Sequence, residues 1–400
     1  MSDGTKIEWT EATWNPITGC SVTSPGCTNC YAMKLAGTRL RHHESRAGLT
    51  QDSKAGPVWT GEVRLNEQWL DQPLRWKRPR KIFVCAHGDL FHESVPDEWI
   101  DRVFAVMALC PQHTFQVLTK RSARMREYFA DDESRDRIDS EMGILIAQRV
   151  DPHVRRSDDL RATAPCLDET WPLPNVWLGV SVEDQQRADE RIPDLLATPA
   201  AVRWLSCEPL LGPANLEPWL APDKACQGCD DGEGYGNRCS SNRAPREEQC
   251  PWNRAVQTVV EHGPYDHDGI PAAITSDVHC LDWIVVGGES GPGARPMHPD
   301  WARSLRDQCD IADMPFFFKQ WGEWLPWEPY QAPQWQAQNG QHEDSHILLP
   351  SDMDADPTWD DGLWAMRDRC VHFAFQRVGK KRAGRTLDGI IHAGLPSSPA

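Results

Sequence analysis

Residues 281–290 read LDWIVVGGES, an apolar run that stops at two glycines and is followed at once by a carboxylate. The same arrangement recurs along the chain, where short apolar runs are bounded by polar or turn-forming residues. Runs of this length and composition are typical of buried parallel strands. We therefore predict six such strands, at residues 81–85, 114–118, 175–180, 202–206, 281–286 and 315–319.

Helical patterns fill the intervals between these runs. Residues 96–110 and 301–309 carry apolar side chains at helical spacing, and polar residues ahead of such segments are candidate N-caps. Strands that alternate with helices predict an α/β fold, and six or seven such units favour a partial or complete parallel β/α (TIM-like) barrel. A doubly wound sheet is the alternative. The positions concerned are Ile100, Phe104, Met107 and Ala108; Trp301, Leu305 and Cys309; and, as caps, Asp300, Ser122 and Ser181.

Polar side chains follow each predicted strand directly. In a β/α barrel the carboxyl ends of the strands meet at one mouth, where active sites are built. The sequence therefore predicts one site assembled from six distant segments. Its candidate residues are Asp89 with His92, Lys120 with Arg121, Glu183, Glu208, Gly287 to Ser290, and Lys319.

The N-terminal region contains Cys20, Cys27 and Cys30 within a turn-forming segment that begins Trp14-Asn15-Pro16. A structural zinc site normally has four Cys or His ligands, whereas a four-iron cluster held by three cysteines leaves one iron free to bind a small molecule. The spacing favours a [4Fe-4S] cluster. Zinc completed by a distant ligand, and three ordinary cysteines, are the alternatives.

Composition limits the class of protein. The chain has 400 residues, 14 cysteines and a net charge of −17, which argues against non-specific binding of duplex DNA through a uniformly positive face. The cysteines are clustered rather than evenly spread, so metal binding in a reducing compartment is expected instead of a disulfide framework. The first residues lack the apolar core of a signal peptide and no stretch is long and apolar enough to span a membrane, so we expect a cytoplasmic protein.

Two segments interrupt the alternation of strands and helices. Residues 128–172 are rich in Asp and Arg and are predicted to be a surface excursion. Residues 221–280 are polar, and four cysteines lie between positions 226 and 250, the first two as CxxC, which indicates a small knuckle stabilised by zinc. A second iron–sulfur cluster or unmetallated cysteines are the alternatives. The four residues are Cys226, Cys229, Cys239 and Cys250.

The predicted organisation is a barrel formed by residues 1–220 and 281–330, with the cluster loop near its start. The Cys-rich insertion occupies residues 221–280, and residues 331–400 wrap the barrel, with residues 324–361 expected as loops. We therefore treat the insertion as separable from the barrel.

The three-cysteine segment, Asp89-Leu90-Phe91-His92, residues 287–291 and residues 318–322 resemble those of a phage-associated family of unknown function marked by this three-cysteine motif. That family in turn is similar to radical S-adenosylmethionine enzymes. The resemblance implies a partial β/α barrel whose cluster loop follows a first strand at residues 6–13. One departure is that the first cysteine interval is longer here than in the usual radical-enzyme motif.

The resemblance also implies roles for the candidate residues. Cys20, Cys27 and Cys30 would hold the cluster, S-adenosylmethionine would chelate its free iron, and an electron donor would reduce it. A nucleic acid base or nucleotide is the expected substrate; a partner protein is also considered. A non-catalytic zinc protein that binds nucleic acid or a partner protein is the alternative, and a metal-dependent hydrolase is disfavoured because no HExxH-like set occurs. The remaining assignments are Gly287, Gly288, Glu289, Ser290 and Glu208 for the cofactor, and Asp89, His92 and Lys319 for catalysis.

Overall fold

Seven parallel strands form one sheet in which the spatial order of the strands follows their order in the chain. A computed structural model describes residues 4–5, 7–148, 164–220, 280–327, 363–368 and 371–396. The strands are β1 (Ala12–Trp14), β2 (Lys81–Val84), β3 (Thr114–Thr119), β4 (Val176–Ser181), β5 (Val202–Cys207), β6 (Trp283–Gly287) and β7 (Phe316–Gln320).

The sheet curls into a half-barrel. Neighbouring strands pair in parallel, as in the register of Phe115 with Val176, and among the described strands β1 and β7 are the two ends of the order. The prediction of a partial parallel β/α barrel is therefore confirmed. The six strands predicted from apolar runs are all present, with ends that differ by at most two residues.

Helices cover the outer face of the sheet. Leu205 of β5 and Val286 of β6 point outward and belong to the same buried core as Leu305 of a covering helix. The predicted apolar face of residues 96–110 is buried as expected. The longer helices are α1 (Tyr31–Gly37), α2 (Asp97–Ala108), α3 (Ser122–Ala130), α4 (Ser134–Gln148), α5 (Gln185–Leu196) and α6 (Pro299–Ala312).

The inner face of the half-barrel carries a separate cluster of aromatic side chains near the amino ends of the strands. The ring centroids of Trp204 and Trp283 are 5.3 Å apart, and Trp9 packs edge-on against Trp204 at 5.2 Å. Gly179 leaves the necessary room, since a Cβ there would lie 2.5 Å from the Trp204 indole. These indoles pack against one another and fill the inner face near the amino ends of the strands.

Several local predictions were wrong. Residues 134–148 form α4 rather than a surface excursion, because Ile138 and Met142 belong to a buried apolar stripe that the surrounding charges obscure. The first strand is β1, which begins later than the expected residues 6–13, and the short strand Ile17–Thr18 lies between it and the cysteines. Residues 324–361 are not all loop, since Trp324–Trp327 is a strand.

Three predicted helix caps were also wrong. His298 caps α6, since its Nδ1 accepts from the backbone N–H of Asp300 at 3.2 Å. Asp184 caps α5, whereas Ser181 ends β4. Ser122 is the first helical residue of α3 and donates to Asp194 at 2.7 Å. In α5 and α6 a neighbouring side chain supplies the acceptor that the serine or aspartate was expected to provide, whereas the N-cap of α3, Arg121, makes no such hydrogen bond.

The remaining described elements are short. Trp324–Trp327, Leu363–Asp368 and Val371–Arg377 form a separate antiparallel sheet. No helix in the described ranges has the length and apolar character needed to cross a membrane. The predicted zinc ligands Cys226, Cys229, Cys239 and Cys250 lie outside the described residues. Further elements are strands Ile17–Thr18, Thr50–Ser53, Gly56–Trp59 and Arg64–Leu65; 3-10 turns Pro25–Cys27 and Pro73–Arg75; and helices Glu67–Leu70, Leu167–Thr170, Glu217–Leu220 and Lys380–Ala383.

Candidate functional site

The three-cysteine segment leaves the carboxyl end of β1 and runs along the rim of the half-barrel. Gly19 forms a parallel bridge with Gly88, which lies in the loop after β2. The Gly19 N–H donates to the His87 carbonyl at 3.2 Å. Gly19 has a φ of 97°, and a Cβ there would collide with the Glu62 carbonyl. Glycine is therefore required where the loop turns toward the first cysteine.

The three thiols are free and lie close enough to influence one another's ionisation. Burial raises the pKa of Cys20 to about 12, against the opposing effect of Arg121. Burial also raises the pKa of Cys30. For Cys27 burial is outweighed by Lys120 and by hydrogen bonds from Thr23 and Ser24, so the pKa of Cys27 is lowered. The three thiols thus differ in pKa, and Cys27 is the one most readily converted to a thiolate.

Arg121 connects the cysteine loop to the end of β2. Its Nη1 lies 3.3 Å from the Cys20 sulfur and 3.1 Å from Asp89 Oδ2, and its Nη2 donates to Ser21 Oγ at 2.8 Å. Asp89 also accepts from Thr119 Oγ1 at 2.7 Å and from the Lys120 N–H at 3.1 Å. Because Asp89 is buried and receives several donors, its carboxylate acts within the structure as an anchor for Arg121.

His92 lies beside the same loop and is buried. Its Nδ1 accepts from the Ser94 N–H at 3.1 Å, and its Nε2 is 3.0 Å from Ser21 Oγ. Burial and the nearby Arg121 lower the pKa of His92. At neutral pH the ring is therefore uncharged and carries its proton on Nε2.

A second ion-pair group follows β3 and β4. Glu183 is fully buried and accepts from Lys120 Nζ at 2.7 Å, from Arg191 at 2.9 Å and from Ser24 Oγ at 2.6 Å. Burial opposes its ionisation, but Lys120 and Arg191 outweigh burial and lower the pKa of Glu183. A Cβ on Gly26 would collide with this carboxylate, so Gly26 allows the cysteine loop to rest on it.

Lys319 and Glu208 form the corresponding pair on the other side of the half-barrel. Lys319 Nζ lies 2.9 Å from Glu208 Oε1, and both side chains are largely buried with some solvent access. Gly287 lies against this pair, since a Cβ there would be 2.6 Å from Glu208 Oε1. A ligand that enters the rim here would meet one cation and one carboxylate.

The loop after β6 is joined directly to the cysteine loop. Glu289 accepts from Arg295 Nη2 at 2.7 Å and from Asn29 Nδ2 at 2.9 Å, and Asn29 also donates to the Gly293 carbonyl at 2.7 Å. A Cβ on Gly288 would collide with the Trp321 carbonyl. The Glu289 carboxylate therefore holds two loops together, and its oxygens are engaged by protein donors.

The predicted rim residues that the structure describes thus lie at the carboxyl edge of the sheet, Gly287 and Lys319 at the ends of β6 and β7 and the others in loops. Sequence reasoning missed Asn29 and Arg295 as partners of Glu289, and Ser24 and Arg191 as partners of Glu183. Arg295 and Arg191 lie six and eight residues from their carboxylates and could have been found from the sequence, whereas the contacts of Asn29 and Ser24 join distant segments. The predicted residues placed at this edge are Cys20, Cys27, Cys30, Asp89, His92, Glu208, Gly287, Gly288, Glu289, half-buried Ser290, and Lys319.

A site for a single metal ion requires several ligating side chains around one point. Within the described residues no group of three or more His, Cys, Asp or Glu side chains is disposed around one metal ion. The three cysteines therefore do not form a preassembled mononuclear centre in this structure.

The fold and the rim define an α/β protein with a curled parallel half-barrel and a three-cysteine loop at its carboxyl edge. The chain belongs to the family described as "Protein of unknown function (DUF5131)", whose model matches residues 4–396. No curated protein and no solved structure matches the chain.

Proposed function

We propose that the protein is an iron–sulfur radical S-adenosylmethionine enzyme whose cluster binds to Cys20, Cys27 and Cys30. The observation that supports this proposal best is the position of the three free thiols, in one loop at the carboxyl edge of a parallel half-barrel. Active sites of β/α barrels are built at this edge.

The donor set fits a four-iron cluster better than a single ion. Thiolates of a [4Fe-4S] cluster bind different irons and so stand farther apart than the ligands of one zinc ion. The three thiols lie near enough to influence one another's ionisation, as ligands of one cluster would. The cations Arg121 and Lys120 next to the thiols would offset the negative charge of a thiolate-bound cluster.

When bound and reduced by one electron from a donor, the cluster would cleave S-adenosylmethionine to methionine and a 5′-deoxyadenosyl radical that abstracts hydrogen from the substrate. The protein supplies position and charge. Gly287 and Gly288 let the backbone approach a ligand closely, and the Lys319–Glu208 pair offers a cation and a carboxylate to it. Neutral His92 is suited to hydrogen bonding or proton transfer beside the cluster loop.

The structure leads us to propose narrower roles for two residues. Asp89 and Glu289 have their oxygens occupied by Arg121 and Arg295, so we propose that they position the site and do not themselves contact the cofactor. Ser290, which follows Glu289, keeps its proposed place in the cofactor site.

A nucleobase or nucleotide is the proposed substrate class. Tyr31 follows Cys30 directly and the residue is 48% exposed, so we propose that its ring offers a face for stacking on a base. We further propose that Cys226, Cys229, Cys239 and Cys250 bind a structural zinc, that residues 331–400 wrap the barrel, and that the protein works in a reducing cytoplasm.

The test is anaerobic purification and iron–sulfide reconstitution, followed by spectroscopy of the reduced protein with and without S-adenosylmethionine. We expect a cluster signal that the ligand perturbs, with 5′-deoxyadenosine as a product. Zinc as the only metal, with no cluster after reconstitution, would reject this function in favour of a non-catalytic zinc protein.

A further inference from the structure

Arg46 is a buried cation without an anionic partner. The residue is 4% exposed, and its Nη1 donates to the Ser45 carbonyl at 3.3 Å and to Ser45 Oγ at 2.8 Å. Its Nε is buried and has no acceptor, and no carboxylate of the described residues pairs with it. Burial of an unpaired charge is costly, so such a cation is normally matched by an anion.

A second unpartnered nitrogen lies near Arg46. His87 is half-buried, its Nδ1 is inaccessible to solvent, and this atom has no hydrogen-bond partner in the described part of the chain. Burial and then the charge of Arg46 lower the pKa of His87 to about 4. At neutral pH the imidazole is thus uncharged, and the tautomer protonated on Nδ1 is a hydrogen-bond donor.

This pair of donors adjoins the proposed active site through Tyr31. The Tyr31 hydroxyl donates to the Ala86 carbonyl at 2.7 Å, and the ring stands edge-on to His87 at 5.8 Å. The same hydroxyl is within electrostatic range of Arg46, Cys30 and Glu208. Tyr31 is partly exposed, so it connects the rim to His87.

We propose that Arg46 and His87 form an anion-binding site that receives a phosphate or carboxylate group of the substrate. A guanidinium binds such groups with two parallel hydrogen bonds, and a neutral imidazole adds a third donor without requiring a proton from solvent. An anionic group here would accept a hydrogen bond from Arg46 Nε and balance the charge of the guanidinium. The assignment to the substrate rests on the proposed function; the existence of the anion site does not.

The position of other cations favours the substrate over the cofactor as the source of the anion. Lys120 acts electrostatically on both Cys27 and Cys30, where the cofactor would bind. Arg46 instead acts on Tyr31, Cys85 and His87. The cysteines, where the cofactor would bind, are thus influenced by Lys120, whereas Arg46 acts on Tyr31 and His87, so we assign the anion at Arg46 to the substrate.

The experiment measures binding of inorganic phosphate to the full-length protein by calorimetry, before and after cluster reconstitution. Arg46→Met removes the cation at similar volume, and His87→Asn provides a second variant that retains Arg46. Arg41→Met is the matched control, because Arg41 is an exposed arginine paired with Asp52 and its loss changes the net charge equally. Thermal melts in phosphate and in sodium chloride of equal ionic strength accompany each titration.

We expect wild type and Arg41→Met to bind phosphate equally, and Arg46→Met to bind it about tenfold or more weakly. Phosphate should raise the melting temperature of wild type beyond the effect of chloride, and this increment should vanish in Arg46→Met. Absence of phosphate binding in wild type, or unchanged binding in Arg46→Met and His87→Asn, overturns the site.

Binding of S-adenosylmethionine to the reconstituted protein identifies the source of the anion. Phosphate and S-adenosylmethionine should bind together without competition, and Arg46→Met should keep wild-type affinity for the cofactor. Competition, with loss of cofactor affinity in Arg46→Met, would overturn the assignment to substrate. Phosphate binding is also measured without the cluster. Failure to form a cluster would therefore reject the proposed function, while the phosphate titrations would still test the anion site.

Discussion

The Nη1 atom of Arg121 lies 3.3 Å from the sulfur of Cys20, while the same nitrogen is 3.1 Å from Asp89. One guanidinium thus connects the first cysteine of the loop to a buried carboxylate that follows the neighbouring strand. Arg121 and Asp89 are both almost wholly buried, so neither charge is compensated by water.

Replacement of Arg121 by Met should destabilise the protein by about 3–5 kcal/mol, because it leaves the Asp89 carboxylate buried and unpaired. Chemical denaturation of the cluster-free protein measures this change. Arg102→Met is the control: Arg102 pairs with the exposed Glu67 and should cost about 1 kcal/mol or less. The double variant Arg121→Met/Asp89→Asn should recover part of the lost stability. If it does not, the unpaired Asp89 carboxylate is not the cause of the loss.

Cys27→Ala should abolish the visible absorption band of the reconstituted cluster and the formation of 5′-deoxyadenosine, because one iron would lose its thiolate. Cys166→Ala is the control, since Cys166 is an exposed cysteine far along the chain from the loop. Iron analysis and absorption spectroscopy distinguish the two. Full activity of Cys27→Ala would contradict the proposed mechanism.

Lys319→Met and Glu208→Gln should each weaken binding of S-adenosylmethionine by about tenfold while leaving the cluster absorption intact, because each removes one charge of a pair on the rim. Equilibrium dialysis with the reconstituted protein measures the affinity. Lys381→Met, at an exposed lysine of the helix Lys380–Ala383, should bind the cofactor as wild type does. Equal affinity in all four proteins would remove the Lys319–Glu208 pair from the cofactor site.

Gly288→Ala should lower the free energy of unfolding by about 1–3 kcal/mol, because the new methyl group would collide with the Trp321 carbonyl. Gly143→Ala should instead raise the free energy of unfolding by about 0.5–1 kcal/mol. Gly143 lies within α4, and no atom of the described residues lies within contact distance of the position that its Cβ would take. Thermal denaturation of both variants tests the geometry of the loop after β6. If Gly288→Ala leaves the free energy of unfolding unchanged, Gly288 does not lie as close to the Trp321 carbonyl as described.

Stability should fall as the pH is lowered from about 6.5 to about 4 in the cluster-free protein. His87 has a pKa of about 4 when folded, against an ordinary value of 6.5, so the unfolded chain takes up a proton first and is favoured as acid is added. At roughly 1.4 kcal/mol for each pKa unit, this gap corresponds to about 3 kcal/mol. Below pH 4 both states carry the proton and His87 contributes no further loss.

His87→Asn should therefore flatten the acid side of the stability curve between these two pH values. Urea denaturation at a series of pH values in phosphate-free buffer measures it, and the remaining slope should come from His92 and His113, whose pKa values are also lowered by burial. An unchanged slope in His87→Asn would mean that His87 is already protonated in the folded protein.

The strands were predictable because each is a short apolar run that needs burial on both faces. Residues 281–286 and 202–206 are mostly apolar, with Asp282, Arg203 and Ser206 as their polar side chains, and both became neighbouring strands of one sheet. Helix α4 was not predictable in the same way, since its apolar stripe of Ile138 and Met142 is scattered among charged residues that mask the period. Local periodicity is informative only where apolar residues dominate the window.

The sequence by itself determined the parallel half-barrel and the set of polar residues at its rim, because parallel strands place their carboxyl ends on one edge. Only the tertiary structure decided which of those side chains are free and which are paired. Asn29 meets Glu289 across 260 positions of the chain, and Arg121 meets Cys20 across 101. Hydrogen bonds and ion pairs act over a few ångströms in space, and that proximity is created by folding and is absent from the order of residues.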